Sequence, residues 1–217
     1  MVAIDGPAAS GKGTIAARLG AALGLPVLDS GLLYRAVGVE VLRRAGDLDD
    51  PTVATDAATA LVRDLGRDVD RLGDPALRTR TAGEAASRVA AHPAVRAALV
   101  ESQRSFAARE PGAVLDGRDI GTVIVPHAAA KLYITASAPT RAKRRWRQLL
   151  EAPESDVQPS PDYESVLADI LARDTRDEMR AASPMRPAPD AILLDTTDLD
   201  IDAAFDAARR IVEAARG

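Results

Sequence analysis

The sequence predicts an α/β fold in which a mostly parallel β-sheet carries helices on its faces, and two observations lead to this prediction. Short apolar runs alternate along the chain with longer stretches of helical periodicity, which is the pattern of successive strand–helix–strand units. The 217 residues are 47% hydrophobic and 28% charged, a balance typical of a globular protein with one sizeable core. We therefore expect a single α/β domain with two excursions, near residues 45–83 and 140–181.

The individual elements follow from this alternation and from the residues that flank each element. Apolar runs predict strands over residues 2–4, 26–29, 113–116, 130–136 and 191–195. Helical periodicity predicts helices over residues 12–23, 30–44, 84–91, 93–108, 140–150, 163–181 and 201–215. Gly24 is expected to end the first helix, Ser30 to cap the second, and Pro93 to occupy a first helical turn. Between residues 47 and 83 the periodicity is weak, so short helices and loops are expected there.

The composition excludes several classes of protein. There is no cysteine, which rules out disulfides, thiolate metal sites and catalysis by a thiol. No apolar run approaches the roughly 18 residues that a membrane-spanning helix needs, and the first residues lack the pattern of a secretory signal, so we expect a cytoplasmic protein without membrane contact. The net charge of −4 argues against general nucleic-acid binding. Nothing in the sequence demands a dimer, and a monomer is expected.

A glycine-rich segment, GPAASGKGT at residues 6–14, stands between the first predicted strand and the first predicted helix. This arrangement wraps backbone N–H groups around a polyphosphate, and the small residues let the chain approach the anion closely. Lys12 would then reach the β- and γ-phosphates as a compact cation. Gly13 stands where the common pattern has Ser or Thr, and this GKGT ending resembles nucleoside-monophosphate kinases rather than GTPases. The alternative is a flexible turn that only caps the helix.

Two further strands end in polar groups at the edge of the sheet where open α/β folds bind ligands. The stretch DSGLLYR offers a carboxylate, a hydroxyl and Arg35, unless it only caps a helix. In VLDGRDIGT, Asp116 ends a strand and suits an acid that holds the hydration shell of Mg²⁺ beside phosphates. Arg118 and Asp119 project from the same edge, although Asp and Gly also build ordinary turns.

Arginine outnumbers lysine 25 to 3, which genome composition alone could produce, so the position of the arginines is more informative than their number. In RDTRDEMR, Arg173, Asp177 and Arg180 fall within roughly 60° of one another on a helix. This spacing is typical of a solvated ladder of ion pairs, but it also suits a site for a sugar hydroxyl and two phosphate groups. The stretch RAKRRWR adds five cations on the preceding helix, either as a solvated patch or as phosphate ligands. The acidic loop APESDVQPSP is expected to separate these two helices.

Several stretches in this sequence are similar, in one order from residue 4 to about residue 200, to those of one enzyme family. They are GPAASGKGT, LDSGLLYRA, AASRVAAHPAVRAAL with the following QRSFA, LDGRDIGTVIVP, RDTRDEMR and DAILLDTT. Together they resemble bacterial cytidylate kinases, and DGRD separates this family from adenylate kinases. The resemblance implies a P-loop kinase core with a five-stranded parallel sheet (residues 1–35, 109–139 and 182–217), a nucleoside-monophosphate-binding insertion (about 36–108) and an arginine-rich lid (about 140–181).

The resemblance also implies roles for individual residues. Those expected to bind ATP are Gly6, Ala8, Ala9, Ser10, Gly11, Lys12, Gly13, Thr14 and Arg144. Those expected to bind CMP are Ser87, Arg96 and Asp119 at the cytosine, Arg173 and Asp177 at the sugar, and Ser30, Arg35, Arg118 and Arg180 at the phosphates. Lys12, Arg118, Arg176 and Arg180 would stabilise the phosphoryl group in transfer. Asp116 would hold Mg²⁺ through water.

The implied reaction transfers the γ-phosphoryl group of ATP to CMP or dCMP and yields ADP and CDP or dCDP. The acceptor phosphate is largely dianionic at about pH 7, since its second pKa is about 6, so no histidine or carboxylate base is required. The barrier is set by bringing two anions into line and by stabilising the transferred charge. Two alternatives remain, namely a kinase of another small acceptor such as UMP or shikimate, and a non-catalytic nucleotide-binding switch.

Overall fold

The computed structural model describes residues 1–65, 72–151 and 162–216. The strands in these ranges are β1 (Val2–Asp5), β2 (Val27–Asp29), β3 (Val114–Gly117), β4 (Ala130–Thr135) and β5 (Ile192–Asp195). They form one sheet in the order β2-β3-β1-β4-β5, and every neighbouring pair is parallel. The predicted α/β fold with a five-stranded parallel sheet is therefore confirmed.

Helices connect the strands and cover the sheet. The α-helices of the described ranges are α1 (Lys12–Leu23), α2 (Ser30–Arg43), α3 (Pro51–Leu65), α4 (Arg80–Val89), α5 (Pro93–Ala107), α6 (Ala138–Leu150), α7 (Tyr163–Met179) and α8 (Ile201–Arg216). A 3₁₀-helix at Pro75–Arg78 and a π-helix at Ile120–Ile124 complete them. Gly24 ends α1 in the left-handed conformation, as the sequence predicts, and Pro93 begins α5.

The central strands of the sheet consist largely of apolar residues because helices bury both of its faces. On one face Ile4 belongs to a buried cluster with Ile15 of α1 and Ala208 of α8. Ala3 points to the opposite face, where it joins a second cluster with Leu115 of β3. Side chains that alternate between two buried faces leave a strand no polar positions in its interior.

The register of the two central strands determines where the functional segments lie. Asp5 pairs with Gly117, and Ile4 pairs with Asp116. Because β1 and β3 run parallel, the chain leaves both strands at the same edge of the sheet. The glycine-rich segment 6–14 and the segment that carries Arg118 are therefore neighbours in space.

The expectation of short helices and loops over residues 47–83 is wrong in its first part, where α3 is a single helix of 15 residues. Most of its buried positions are alanines, including Ala54 and Ala57, and alanine marks a buried face less clearly than larger apolar residues do. The helix begins where the carboxylate of Asp50 accepts the backbone N–H of Thr52 at 2.8 Å.

Two helix starts also differ from the predictions. Asp29, rather than Ser30, caps α2, and its carboxylate accepts a backbone N–H of the first turn at 2.9 Å. Ser30 is instead the first helical residue. Helix α4 begins at Arg80 rather than at residue 84, because the hydroxyl of Thr79 accepts a first-turn N–H at 3.1 Å. In both cases a side-chain acceptor directly before the helix satisfies one of the free N–H groups of its first turn.

Two groups of helices have apolar clusters apart from the sheet. Helices α2 to α5 bury a cluster that includes Val37, Ala58 and Leu99, and α6 packs on α7 around Ala142 and Val166. The predicted loop APESDVQPSP between α6 and α7 lies outside the described residues. The division into core, insertion and lid stays a prediction. In the described ranges, no helix combines the length and the apolar composition that crossing a membrane requires.

Candidate active site

The glycine-rich segment 6–14 forms a tight loop between β1 and α1, and two of its glycines are required by the backbone. Gly6 has a φ of 145°, and a Cβ there would lie 1.9 Å from the carbonyl oxygen of Ile134. Gly11 has a φ of 91° and caps α1 without a side-chain hydrogen bond to the first turn. The first N–H groups of α1 therefore point into the loop free of any side-chain cap, where an anion is favoured.

Lys12 is the buried cation of this loop. Its Nζ donates to the carbonyl oxygen of Pro7 at 3.2 Å, and the residue is 9% exposed. Burial and the positive charge of Arg118 lower the pKa of Lys12, against the opposite effect of the Asp116 carboxylate. A buried ammonium without a strong anionic partner is costly. This cost falls when a phosphate group occupies the loop, which is the expected function of Lys12.

Asp116 lies at the end of β3, and it is 2% exposed. Burial and the nearby charge of Asp29 raise its pKa, while Lys12 acts in the opposite direction. Its Oδ1 has no hydrogen-bond partner among the described residues. An unpartnered buried carboxylate oxygen at the edge of the cleft fits an acceptor for metal-bound water.

Arginines surround an open cleft that Lys12 and the glycine-rich loop also line. Burial and the charge of Arg145 lower the pKa of Arg35 to about 10. Burial and the charge of Arg118 likewise lower the pKa of Arg173 to about 10. The positive charges of neighbouring arginines destabilise the protonated guanidinium groups. A negatively charged phosphate in the cleft would offset this repulsion.

A second polar cluster is built around Asp119 after β3 and Arg96 on α5. A guanidinium Nη2 of Arg96 donates to Oδ2 of Asp119, and both side chains are buried, at 5% and 7% exposed. Nε of Arg96 is buried and has no hydrogen-bond partner among the described residues. The structure therefore brings together two of the three residues that the resemblance assigns to the cytosine. The third, Ser87 on α4, is linked to this cluster through Asp177, to which it donates and whose charge also acts on Arg96.

Asp177 connects this cluster to the arginine-lined cleft. Its Oδ1 accepts the hydroxyl of Ser87 at 3.3 Å, and its Oδ2 accepts Nε of Arg118 at 3.0 Å. Burial alone would raise the pKa of Asp177, but the charges of Arg118, Arg173 and Arg180 outweigh it and hold the pKa below its usual value. A single ionised carboxylate therefore joins the predicted sugar site to the predicted phosphate site.

Arg180 lies at the end of α7 and contacts Asp119. Helix α7 ends at Met179, and Arg180 is its capping residue, whose N–H still donates to the carbonyl oxygen of Arg176 at 3.1 Å. Its Nη2 lies 3.7 Å from Oδ1 of Asp119, and its Nε donates to the carbonyl oxygen of Ser183 at 2.5 Å. The predicted contact of Arg180 with the phosphates stays a prediction.

Two other predicted arginines make contacts with protein groups. Arg176 forms an ion pair with Glu84 of α4 at 2.7 Å. Arg144 donates to the carbonyl oxygen of Ser10 at 3.4 Å and to that of Thr196 at 2.6 Å, so it ties α6 to the glycine-rich loop and to the segment after β5.

The α7–α4 contact contains a second ion pair. Nε of Arg80 lies 2.5 Å from Oδ2 of Asp169. Both α7–α4 pairs are partly exposed, at 36% and 43% for this pair and 36% and 47% for Arg176 with Glu84.

Sequence reasoning assigned no individual role to Asp5, Tyr34 or Arg145. The guanidinium of Arg96 lies over the ring of Tyr34, 5.4 Å from its centroid, and Arg145 lines the cleft. Both carboxylate oxygens of Asp5 accept backbone N–H groups of the segment after β3. For Asp5 a signal existed, since a charged residue that ends a buried strand needs a partner.

Comparison with known proteins agrees with this arrangement. The family described as cytidylate kinase matches residues 2–214. A cytidylate kinase of Caulobacter vibrioides is 60% identical over 216 residues, which cover 100% of this chain and 96% of the relative. One from Xanthobacter autotrophicus is 58% identical, with 100% and 98% covered. One from Azorhizobium caulinodans is 55% identical and covered over 100% of both chains.

Among solved structures, the chain is similar to the crystal structure of TT1252 from Thermus thermophilus. The identity is 23% and the TM-score is 0.46, with 98% of this chain and 95% of that chain covered. The family match and the sequence relatives extend over nearly every residue, including all the segments that form the cleft. The chain therefore belongs to the cytidylate kinase family.

Proposed function

We propose that this protein transfers the γ-phosphoryl group of ATP to CMP or dCMP and releases ADP and CDP or dCDP. The structural observation that best supports this proposal is the position of Arg118. Arg118 lines the cleft together with Lys12, and it also donates to Asp177 beside the second polar cluster, which contains Arg96 and Asp119. A phosphate held by the glycine-rich loop and a phosphate attached to a base near Asp119 would therefore meet at the same guanidinium.

The chemistry of cytosine matches the second cluster. Cytosine offers an amino donor, a ring-nitrogen acceptor and a carbonyl acceptor. The carboxylate of Asp119 can accept from the amine, while Arg96 and Ser87 can donate to the acceptors. Two buried donors, Nε of Arg96 and Nη2 of Arg180, have no hydrogen-bond partner among the described residues. Unpaired buried donors are costly, so a base that supplies two acceptors would be stabilised here.

The cleft provides electrostatic stabilisation without a proton-transfer group. The acceptor phosphate is already dianionic in most molecules, because its second pKa is about 6. Lys12, Arg118 and Arg173 would offset the negative charge of two nucleotides and of the phosphoryl group in transfer. The ring of His92 binds the carbonyl oxygen of Leu48 at 2.9 Å, which is a structural role away from this cleft.

Mg²⁺ is part of the proposal, because the residues present fit it. Gly13 has no hydroxyl to offer a metal ion, whereas Asp116, at the edge of the cleft, has a buried oxygen with no hydrogen-bond partner in the described part of the chain. Asp116 would hold the ion through water, and the ion when bound would neutralise charge on the phosphates of ATP. The proposal also includes a cytoplasmic monomer, which cell fractionation and size-exclusion chromatography would test.

Replacing Asp116 with asparagine is expected to raise the Mg²⁺ concentration for half-maximal turnover by about tenfold. The amide keeps the shape of the carboxylate but loses the charge that orients metal-bound water. The measurement is turnover as a function of Mg²⁺ at saturating nucleotides. Asp206→Asn on α8 is the control, and an unchanged Mg²⁺ dependence of Asp116→Asn would remove this residue from the proposed site.

The proposed activity is tested by coupled ADP release with CMP, dCMP, UMP, AMP and shikimate as separate acceptors. UMP carries a carbonyl where CMP carries its amine, so it would turn an acceptor toward the carboxylate of Asp119. We expect kcat/KM for CMP to exceed that for UMP by at least about tenfold. Preference for another acceptor would change the substrate assignment, and no release with any acceptor would favour the non-catalytic switch.

A further inference from the structure

The segment that carries Asp119 lacks the capping bond that its sequence suggests. Asp119 stands immediately before the π-helix Ile120–Ile124 and is its N-cap residue, yet its carboxylate makes no capping hydrogen bond. An aspartate in this position ordinarily accepts an N–H of the first turn with its own side chain. Here that carboxylate faces Arg96 and Arg180 instead.

Asp5 supplies the missing cap from the neighbouring strand. Its Oδ1 accepts the N–H of Ile120 at 2.8 Å, and its Oδ2 accepts the N–H of Gly121 at 2.7 Å. A Cβ on Gly121 would lie 3.4 Å from Oδ2 of Asp5 and 3.2 Å from a side-chain carbon of Lys131. The glycine therefore leaves room for a close approach of the carboxylate to the backbone.

This arrangement is unfavourable to maintain unless both hydrogen bonds are made. Asp5 is 3% exposed, and burial raises its pKa to about 6 although the N–H groups of Gly121 and Ile120 act in the opposite direction. A buried carboxylate is stabilised by charge-assisted hydrogen bonds of good geometry. The two bonds also restrain the backbone directly after Asp119.

We propose that Asp5 is a positioning residue that caps the π-helix in place of Asp119, so that the carboxylate of Asp119 is oriented toward Arg96 and Arg180 and can select the cytosine. The inference rests on the proposed function, since it concerns how the same base is recognised. Asp5 directly precedes Gly6 at the end of β1, so one residue joins the start of the phosphate-binding loop to the base-binding segment. The alternative is that Asp5 only stabilises the fold.

The test compares Asp5→Asn, Asp119→Asn and the double variant with the wild-type protein, at about pH 8, where Asp5 is ionised. In Asp5→Asn an NH₂ group replaces one of the two carboxylate oxygens and faces a backbone N–H, and the remaining amide oxygen is a weaker acceptor than a carboxylate oxygen. We expect the KM for CMP to rise about tenfold and the CMP-to-UMP ratio of kcat/KM to fall about tenfold. The KM for ATP should change by no more than about threefold, since the backbone of the glycine-rich loop is retained.

The double variant separates positioning from plain stability. If Asp5 acts through Asp119, Asp5→Asn causes less than about a threefold further loss of CMP-to-UMP selectivity in the Asp119→Asn background. Asp195→Asn is the matched control, because Asp195 also ends a strand and accepts a loop N–H, that of Thr197 at 2.8 Å. Its selectivity should stay within about twofold of wild type.

The possible outcomes are distinct. A wild-type protein that does not phosphorylate CMP would overturn the proposed function. A CMP-selective wild type whose selectivity is unchanged by Asp5→Asn, or is lost additively in the double variant, would overturn the role of Asp5 alone. If Asp5→Asn does not fold, Asp5→Glu tests the same contact, because its longer side chain cannot place both carboxylate oxygens at the N–H groups of Ile120 and Gly121 in the same way. Reduced selectivity then supports the role, and unchanged selectivity contradicts it.

Discussion

Replacing Lys12 with alanine is expected to lower kcat at least about 100-fold, an effect comparable to the loss of one preorganised donor at a developing charge. Lys12 is the cation of the glycine-rich loop, and its Nζ has a carbonyl oxygen as its hydrogen-bond partner, that of Pro7. A phosphate would replace this neutral acceptor with a charged one, so the interaction strengthens as negative charge gathers in the cleft. Turnover at saturating ATP and CMP is the measurement.

Thermal unfolding separates this catalytic loss from a loss of folding. Burial lowers the pKa of Lys12, which means that the protonated side chain is destabilised by its surroundings. The alanine variant should therefore unfold at the same temperature as wild type or a higher one. Lys143→Ala is the control, since Lys143 is exposed on α6. A kcat for Lys12→Ala within about threefold of wild type would contradict the assigned role.

Arg118→Ala is expected to lower kcat/KM for CMP at least about 100-fold. The variant removes a positive charge that would stabilise the transferred phosphoryl group, and it removes a hydrogen-bond donor to Asp177. Among the described residues, the other ion pair of Asp177 is with Arg173, whose Nε is 3.8 Å from Oδ2 of Asp177, beyond hydrogen-bond distance. The carboxylate of Asp177 in the predicted sugar site would then lose the hydrogen bond that orients it, and the predicted phosphate site would lose a cation. Initial rates over a range of CMP concentrations at saturating ATP provide the measurement.

A conservative variant shows which property of Arg118 is used. Lysine keeps the charge but not the planar fork, which can bind Asp177 and a phosphate together. Arg118→Lys should therefore recover only part of the activity. Arg63→Ala on α3 is the control, because the Arg63 side chain is 69% exposed. Full activity of Arg118→Lys would show that charge alone suffices, and full activity of Arg118→Ala would exclude Arg118 from the site.

The sequence predicts those parts of the fold that depend on short stretches of chain. The central strands β1 and β3 are apolar runs because they are buried on both sides, and Gly24 marks the end of α1 because it adopts the left-handed conformation there. Helix α3 is harder to predict, since its buried residues are largely alanines. The cap of α2 was assigned to the wrong one of two adjacent residues, Asp29 and Ser30, which have similar capping preferences.

The candidate site also has a part that short stretches of sequence predict and a part that they do not. The glycine-rich loop is recognisable because the residues that define it all lie within the single segment 6–14. The contacts of Asp5 join residues more than 100 positions apart, so the sequence indicates that Asp5 needs a partner but not which groups provide it. The contact of Arg180 with Asp119 likewise joins residues that are far apart in the chain. Such long-range placement depends on tertiary packing, which periodicity does not encode.

The ion pairs between α7 and α4 also bear on how the contact between these two helices responds to salt. Each joins partly exposed side chains, and such pairs contribute about 0–1 kcal/mol each. Dissolved ions screen them over a Debye length of about 8 Å at physiological ionic strength. Added electrolyte therefore weakens this outer part of the helix contact, while the buried hydrogen bond from Ser87 to Asp177 is shielded from it.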